Sequence, residues 1–247
     1  MLRFALIAAF AFAALPVAGF DIEAMTDDER AAFRAEIRTY LLENPEVLLQ
    51  AINTLEDREA EMAALADARA IETHKSALFE DGHSWIDGNP EGDITVVEFL
   101  DYRCSFCRRA HPVMGELLEK DGNIRLVVKE FPILGPESVA ATRFALAVKA
   151  AHGDEAYGDV HDALMTARGG MNEATFSRIA EAAGLDPEPI LAGMETPEIS
   201  RIIELNRALA QELGVNGTPA FVVGERMVRG FLPLENMEEA IAEARGG

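Results

Sequence analysis

The stretch that decides the fold is residues 94–112, which read ITVVEFLDYRCSFCRRAHP. Its first seven residues form a nearly continuous β-rich run, as expected of a strand that is buried on both faces. A helix is predicted over residues 104–120, and residues 124–131 form a second apolar run of the same type. A strand, a helix and a strand in such close succession indicate a βαβ unit with parallel strands. The fold class predicted from this unit is α/β.

The two cysteines of the chain, Cys104 and Cys107, both lie at the predicted start of this helix. Residues three apart share one face of a helix, so the two sulfurs are close enough for a disulfide. The unpaired N–H groups and the positive dipole at a helix N-terminus favour the thiolate of Cys104, and such placements lower a cysteine pKa from about 8.5 to about 3.5–7.5. Cys107, one turn further along, is expected to be shielded and to act as the resolving thiol. We therefore interpret the pair as redox-active.

Two roles besides redox chemistry stay open for the cysteines. The pair could be inert, either as a static disulfide, which stabilises little across so short a loop, or as small buried hydrophobic residues. It could also bind a metal, since Cys104, Cys107 and His111 are spaced i, i+3 and i+7 along one helix face. Soft thiolates suit Cu(I), whereas structural zinc requires a fourth ligand that the sequence does not show.

Composition excludes several classes of protein. The chain has 247 residues, with 22 basic against 43 acidic side chains and a net charge of −21. Such a charge argues against binding to nucleic acid and to anionic membrane surfaces, both of which require basic stripes. Two cysteines are too few for a disulfide-stapled scaffold or a four-cysteine zinc module. The length fits one large domain with an appendage.

The N-terminus has the three-part layout of a secretory signal peptide. Arg3 makes the start basic, residues 4–15 are all apolar, and residues 16–19 include small residues that suit cleavage after Ala18 or Gly19. The alternative is a membrane anchor, but a helix of about 18 Å is short of the roughly 30 Å that a hydrocarbon core requires. Residues 1–19 are therefore predicted to be a signal peptide that directs the chain to the oxidising periplasm.

Residues 20–80 are predicted to form an N-terminal helical segment. Thr26 and Glu29 have the spacing of a capping box, and apolar residues follow at helical spacing until Asn44 and Pro45 interrupt them. The second helix carries another apolar stripe, for which the segment itself contains no partner. Because isolated helices are marginal in water, the stripe must pack on the main domain or on another copy of the chain. We favour self-association.

The main domain is assigned to residues 81–247. Residues 82–92 are rich in turn-forming residues and mark its start. A helical insertion is predicted over residues 137–213, with breaks at Gly153, residues 169–170, Gly184 and Pro197. Two short strands joined by a turn follow at residues 219–224 and 226–229, and a closing helix follows them.

Two motifs resemble those of the DsbA-like thioredoxin-fold proteins: FLDYRCSFCRRAHP at residues 99–112 and GVNGTPAFVVG at residues 214–224. Their separation resembles that of the two halves of a thioredoxin fold with an inserted helical domain. The upstream stretch EIRTYLLENPEVLLQA, residues 36–51, is similar to the N-terminal oligomerisation segment of ScsC-like proteins, some of which are disulfide isomerases. The resemblance implies a thioredoxin fold with a helical insertion, preceded by a helical arm.

The resemblance also implies roles for individual residues. Cys104 matches the nucleophilic cysteine and Cys107 its resolving partner. Thr218 and Pro219 match a loop whose proline is cis and faces the active site, where extended substrate can pair with the backbone. Glu98 matches a buried acidic residue that relays protons to the resolving thiol, although pairing with a cation such as Lys129 is the alternative.

The activity implied is disulfide exchange with exported proteins, without a cofactor, because the electrons stay in the cysteines. Strongly oxidising relatives carry Pro-His where this chain has Ser105 and Phe106, so the strength of oxidation is open. The helical arm favours an oligomeric isomerase or reductase over a monomeric oxidase. A membrane redox partner is expected to reset the cysteine pair. A Cu(I)-binding protein using Cys104, Cys107 and His111 is the alternative, and an adaptor that acts through its arm is a weaker third hypothesis.

Overall fold

A computed structural model describes residues 23–246. They form two compact units that divide between Arg58 and Glu59, earlier in the chain than the boundary at residue 80 proposed from the sequence. The signal peptide predicted over residues 1–19 lies outside the described residues. Within residues 23–246, no helix combines the length and the apolar character that crossing a membrane requires.

The first unit contains helix α1 (Asp27–Glu43) and the beginning of α2 (Glu46–Thr73). The predicted capping box is confirmed: Thr26 Oγ1 accepts a hydrogen bond from the Glu29 N–H at 3.3 Å, and the Glu29 carboxylate accepts one from the Thr26 N–H at 2.9 Å. Helix α1 has no buried residue. The exposed large apolar side chains of this unit are those of Phe33, Ile37, Tyr40, Leu42, Leu48, Leu49, Ile52 and Leu55.

The second unit is built on a five-stranded sheet. Its strands are β1 (Trp85–Gly88), β2 (Ile94–Leu100), β3 (Ile124–Glu130), β4 (Ala220–Val223) and β5 (Arg226–Arg229). Their order across the sheet is β1-β3-β2-β4-β5. Strands β2 and β3 are parallel, as predicted, and the other neighbouring pairs are antiparallel.

Strand β1 was not predicted, because residues 82–92 have the composition of turns. It pairs with β3 at the edge of the sheet, with Trp85 opposite Val128. A strand of four residues carries little periodicity of its own, so its conformation depends on the neighbour that supplies its hydrogen bonds. Gly88 ends the strand at φ 71°, a conformation that glycine adopts readily.

Helices cover the sheet. They are α3 (Lys75–Phe79), α4 (Ser105–Asp121), α5 (Pro136–Thr166), α6 (Glu173–Ala182), α7 (Pro187–Gly193), α8 (Pro197–Glu212) and α9 (Leu234–Gly246). Helices α5 to α8 form the predicted insertion between β3 and β4. The predicted break at Gly153 is confirmed, since its φ of 86° interrupts α5. The expected α/β architecture, with a helical insertion and a helical N-terminal region, is confirmed.

The core lies on both faces of the sheet, and the alternation of β2 decides which side chain enters which layer. Val96 and Leu100 point into the larger cluster, together with residues of α4 and α5. Val97 and Phe99 point into a smaller cluster that also contains Ile71 and Leu78. Glu98 therefore lies on the face that α4 covers.

Candidate active site

Cys104 lies at the N-terminus of α4, the helix that contains Cys107. It is the N-cap of α4, which starts at Ser105, and its own N–H donates to the carbonyl of Asp101 at 3.0 Å. Both cysteines are free thiols, and both are buried. Cys107 is fully buried, and Cys104 is 7% exposed. The prediction that the pair lies at a helix N-terminus is therefore confirmed.

The loop before β4 approaches Cys104 from across the sheet. The Cys104 sulfur lies 3.1 Å from the carbonyl oxygen of Thr218, and the Thr218–Pro219 peptide bond is cis. The Thr218 hydroxyl is buried without a hydrogen-bond partner among the described residues. The structure thus brings together residues that are more than a hundred positions apart in the chain, as the resemblance implied.

The two thiols have opposite electrostatic environments. The pKa of Cys104 is lowered to about 5, mainly because the Cys107 thiol donates to its sulfur, with further help from the backbone N–H groups of Cys107 and Phe106. The pKa of Cys107 is raised because the thiol is buried, because it donates to Cys104, and because Glu98 places a negative charge near it. Near neutral pH one sulfur is therefore a thiolate and the other a thiol.

Glu98 is a buried carboxylic acid behind the cysteine pair. Its side chain is 4% exposed, and its Oε1 has no hydrogen-bond partner among the described residues. Burial raises its pKa to about 8, because desolvation disfavours the charged form. At that value Glu98 can both give and take a proton near neutral pH.

The alternative pairing of Glu98 with Lys129 is wrong. Lys129 lies opposite Phe99 in the parallel register, so it projects from the other face of the sheet. There its ammonium donates to the carboxylate of Asp81 and, at 2.7 Å, to the carbonyl of Ala77. Lys129 thus satisfies Asp81 and leaves Glu98 without a cation.

Asp101 is a buried carboxylate beside the cysteine pair that the sequence reasoning missed. It is fully buried, and its carboxylate accepts hydrogen bonds from the backbone N–H groups of Arg103 at 2.7 Å, Ile133 at 2.8 Å and Leu134 at 3.0 Å. These bonds join the turn before Cys104 to the loop after β3. An aspartate directly after a strand and before a helix is a known turn signal, but its distant partners are not visible in the sequence.

A second buried carboxylate, Glu130, was also missed. Its two oxygens accept hydrogen bonds from the hydroxyls of Tyr102 at 2.7 Å, Tyr157 at 2.6 Å and Thr142 at 2.7 Å. Burial nevertheless raises its pKa to about 7. The signal that identified Glu98, a charged residue inside an apolar strand, applies equally to Glu130 at the end of β3.

His111 lies on α4, one turn after Cys107, but its nearest charged partner is Asp162 on α5. Its Nε2 lies 3.3 Å from the carboxylate of Asp162 on α5, and its ring lies 5.2 Å from that of His161. Among the described residues, the group of side chains that could hold a metal contains these three residues and neither cysteine.

Comparison with known proteins identifies the fold. The model of the DSBA-like thioredoxin domain matches residues 95–242, and that of the copper resistance protein ScsC N-terminal domain matches residues 29–61. Each match covers a different unit of the structure, apart from the last three residues of the second. The predicted resemblance to both families is confirmed.

Solved structures of similar proteins agree with these family matches. A thioredoxin-like oxidoreductase from Silicibacter pomeroyi is 45% identical, with a TM-score of 0.66, over 70% of this chain and 98% of that one. BcfH from Salmonella enterica Typhimurium is 29% identical, with a TM-score of 0.72, over 89% of this chain and 97% of its own.

A curated relative is much longer. The Na(+)/H(+) antiporter NhaA 1 of Salinispora arenicola is 30% identical over 160 residues, which are 65% of this chain and 24% of the antiporter. The chain thus spans about a quarter of the length of this relative.

Since the model of the DSBA-like thioredoxin domain matches more than half of the chain, the protein belongs to the family with a DSBA-like thioredoxin domain.

Proposed function

We propose that the protein exchanges disulfides with exported proteins through Cys104 and Cys107. The observation that carries the proposal is the placement of the two sulfurs, with Cys104 at the N-terminus of α4 and Cys107 fully buried one turn further on. This placement lowers the pKa of Cys104 and raises that of Cys107, so Cys104 is ionised and Cys107 protonated at neutral pH. A thiolate is the attacking form in thiol–disulfide exchange, and a buried thiol one turn away suits the second, resolving step. No cofactor is needed because the electrons remain on sulfur.

The exchange begins when the Cys104 thiolate attacks one sulfur of a substrate disulfide. A Cys104–substrate bond forms, the substrate disulfide breaks, and the other substrate sulfur leaves as a thiolate. In isomerisation, a substrate thiolate attacks the mixed disulfide and regenerates the Cys104 thiolate, with no net oxidation. In reduction, Cys107 attacks Cys104 instead, which releases reduced substrate and leaves the Cys104–Cys107 disulfide. Oxidation of a substrate dithiol is the reverse of that sequence.

Glu98 acts as the proton relay of the second step. Cys107 must lose a proton when it attacks, and the carboxylate of Glu98 is the buried base whose charge acts on that thiol. Because its pKa is about 8, Glu98 returns the proton when Cys107 becomes the leaving group in the opposite direction. Its role is that of a positioned acid and base behind the reacting sulfurs.

Substrate binds beside Cys104, where backbone and apolar surface lie together. A groove of about 320 Å³ is lined by residues 214–220, Arg229 and Gly230, including Thr218 and Pro219. Exposed backbone in such a loop pairs with an extended peptide of any sequence. Phe106, Ile133 and Leu134 add exposed apolar side chains near the site, which suit partly unfolded substrates.

The first unit makes the protein an oligomer. Its large apolar side chains are exposed along α1 and the beginning of α2, including Leu42 at 67% and Leu49 at 61%. Exposed apolar stripes of this kind are characteristic of surfaces that bind other chains. Self-association would hold several cysteine pairs around one substrate, which favours isomerisation. The match to the ScsC N-terminal model over residues 29–61 supports this assignment.

The setting that fits this activity is the periplasm, reached through a signal peptide at residues 1–19. Its substrates there are exported proteins with thiols or disulfides, and a membrane redox partner resets the pair. An oxidising compartment supplies the misjoined disulfides that an isomerase acts on. The net charge of −21 makes nucleic acid an unsuitable partner.

The proposal is tested by reactivation of a protein with scrambled disulfides, using the chain without residues 1–19 and a chain that begins at Glu59. The second start follows the division between the two units and keeps the buried residues Ile71 and Leu78. We expect reactivation by the longer chain and its loss from the shorter one, while both reduce a simple disulfide equally well.

Three different results would change the assignment. Rapid oxidation of reduced substrate by both chains, without reactivation, would identify an oxidase whose arm is structural. Binding of Cu(I) by the reduced protein without any disulfide exchange would favour the alternative site of Cys104, Cys107 and His111. Activity that survives Cys104→Ser would favour an adaptor that acts through its arm.

A further inference from the structure

His111, His161 and Asp162 bring two imidazoles and a carboxylate together outside the cysteine site. One ring nitrogen of each histidine and one carboxylate oxygen of Asp162 lie within 4.8 Å of one another. His111 comes from α4, whereas His161 and Asp162 are adjacent on α5. Two imidazoles and one carboxylate, with a position left for water, are a ligand set used by zinc and related divalent cations.

The hydrogen bonds of His161 prepare one of its nitrogens for a ligand. The Tyr102 hydroxyl donates its only hydrogen to the Glu130 carboxylate, so at 3.1 Å its oxygen accepts a hydrogen bond from Nδ1 of His161. This assigns the proton to Nδ1 and leaves the lone pair on Nε2. A polar residue behind a metal-bound histidine orients the ring in the same way.

The position of the cluster suits entry of a cation from solvent. His161 is 4% exposed, the His111 side chain is 24% exposed, and that of Asp162 is 68% exposed, so the cluster runs from the core to the surface. The carboxylates of Asp87 and Asp159 act electrostatically on that of Asp162 and add negative charge beside it. Three carboxylates against two imidazoles attract a divalent cation.

We propose that His111, His161 and Asp162 bind a divalent cation of the zinc class. The bound cation joins α4, which carries the cysteine pair, to α5 of the helical insertion. Since it binds the folded chain through residues from two helices, it stabilises that state in proportion to its affinity. This site is separate from the cysteines and does not depend on disulfide exchange.

The experiment is a Zn²⁺ titration of the full chain with its cysteines joined as a disulfide, so that no free thiol competes for the metal. Binding is measured by calorimetry and by the rise in Tm. We expect one Zn²⁺ per chain and affinity reduced at least about tenfold by Asp162→Asn and by His111→Gln. Both replacements lie at partly exposed positions and keep the approximate size of the side chain.

Matched controls come from α5 itself. Glu155→Gln removes an exposed carboxylate elsewhere on α5, and His152→Gln removes an exposed imidazole; each should leave the affinity within about twofold of the original. The role of His161, whose replacement could unfold the core, is read from the EPR spectrum of bound Cu²⁺. We expect two coordinating imidazole nitrogens in the original chain and one in His111→Gln.

Three results would overturn the proposal. They are the absence of Zn²⁺ binding to the disulfide form, unchanged affinity in both ligand variants, and an equal loss of affinity in the Glu155 control. The last would show attraction of cations by the general negative charge of the surface rather than by this cluster.

Discussion

The two units of the chain use the same kinds of apolar residue in opposite ways. In α1 no residue is buried, although Ile37, Tyr40 and Leu42 are large and apolar. In β2 every residue except Thr95 is buried, including the acidic Glu98. The second unit therefore contains its own core, whereas the described part of the first unit has apolar surface without an equivalent core.

The comparison shows that apolar content alone does not say where a core forms. A strand in the middle of a sheet is covered on both faces, so even its charged residue loses contact with water. A helix can bury only one side, and it does so only where a partner is present. We expect the chemistry to reside in the second unit and assembly in the first, and each prediction below tests that division.

The largest effect is expected from Cys104→Ser, which removes the attacking sulfur of the second unit. Disulfide exchange should fall by roughly a thousandfold or more, both in the full chain and in one that begins at Glu59. The fall is measured as the rate of reduction of a test disulfide. Cys107→Ser is the matched control, since it retains the attacking thiolate and should accumulate a mixed disulfide with substrate. If the two Cys104→Ser chains and the Cys107→Ser chain all kept the same activity, the chemistry would lie outside the cysteine pair.

The next effect is expected from Glu98→Gln, which keeps the shape of the side chain and removes its ability to carry a proton. Release of the mixed disulfide should slow by roughly a hundredfold, because Cys107 loses the base that accepts its proton. The first attack by Cys104 should keep its rate, so stopped-flow measurement of the two steps separates them. An unchanged release rate would exclude the relay.

The pH dependence of Cys104 is the third test. Its pKa of about 5 means that alkylation of the reduced chain should rise through pH 5 and level off above pH 6. An ordinary thiol is about 3% ionised at pH 7, so the rate there should exceed that of a free cysteine thiol of equal nucleophilicity by about thirtyfold. The profile should be the same with and without the first unit. A midpoint above pH 8 would contradict the electrostatic account.

The same shift has a consequence for stability. The folded chain holds Cys104 ionised from about pH 5 upward, whereas the unfolded thiol keeps its proton until about its ordinary pKa of 9.0. Between these values the unfolded state binds more protons, so this group makes the reduced chain more stable as pH rises from 5 to 9. The stabilisation is complete above pH 9 and is lost as pH falls through 5. The disulfide form lacks it, so the difference in unfolding free energy between the two redox forms should rise from pH 5 to pH 9. Above pH 9 the difference should fall again, because burial raises the pKa of Cys107 and the folded chain keeps that proton, whereas the unfolded thiol ionises.

The smallest expected effect on the chemistry comes from the first unit. Replacing Ile37, Ile52 and Leu55 together by serine should reduce the mass of the assembly to that of one chain, because their exposed stripe loses its apolar surface. Light scattering measures the mass. Reactivation of scrambled protein should fall several-fold, while the pH profile of Cys104 stays unchanged. Glu36→Gln, next to Ile37 on α1, is the control that should retain the assembly; loss of assembly there would point to charge rather than apolar contact.

Much of the fold was predictable because the signals are local. The cap at Thr26, the break at Gly153 and the parallel strands on either side of α4 were predicted correctly from residues close together in the chain. Strand β1 was missed because a short edge segment takes its conformation from its neighbour. The alternative that paired Glu98 with Lys129 is wrong, and the sequence did not exclude it because the choice between the two faces of the sheet depends on alternation along two strands at once.

The sequence by itself determined the reactive pair: Cys104 and Cys107 are one helical turn apart wherever a helix begins at that point. It also places two ionisable side chains, Glu98 and Glu130, inside apolar strands. Only the tertiary structure decided what surrounds them, since the carbonyl of Thr218 reaches Cys104 and three hydroxyls reach Glu130 from distant segments. Periodicity describes neighbours along the chain, whereas the pKa of a buried group depends on neighbours in space, and those are set by the order of strands in the sheet and the helices packed on it.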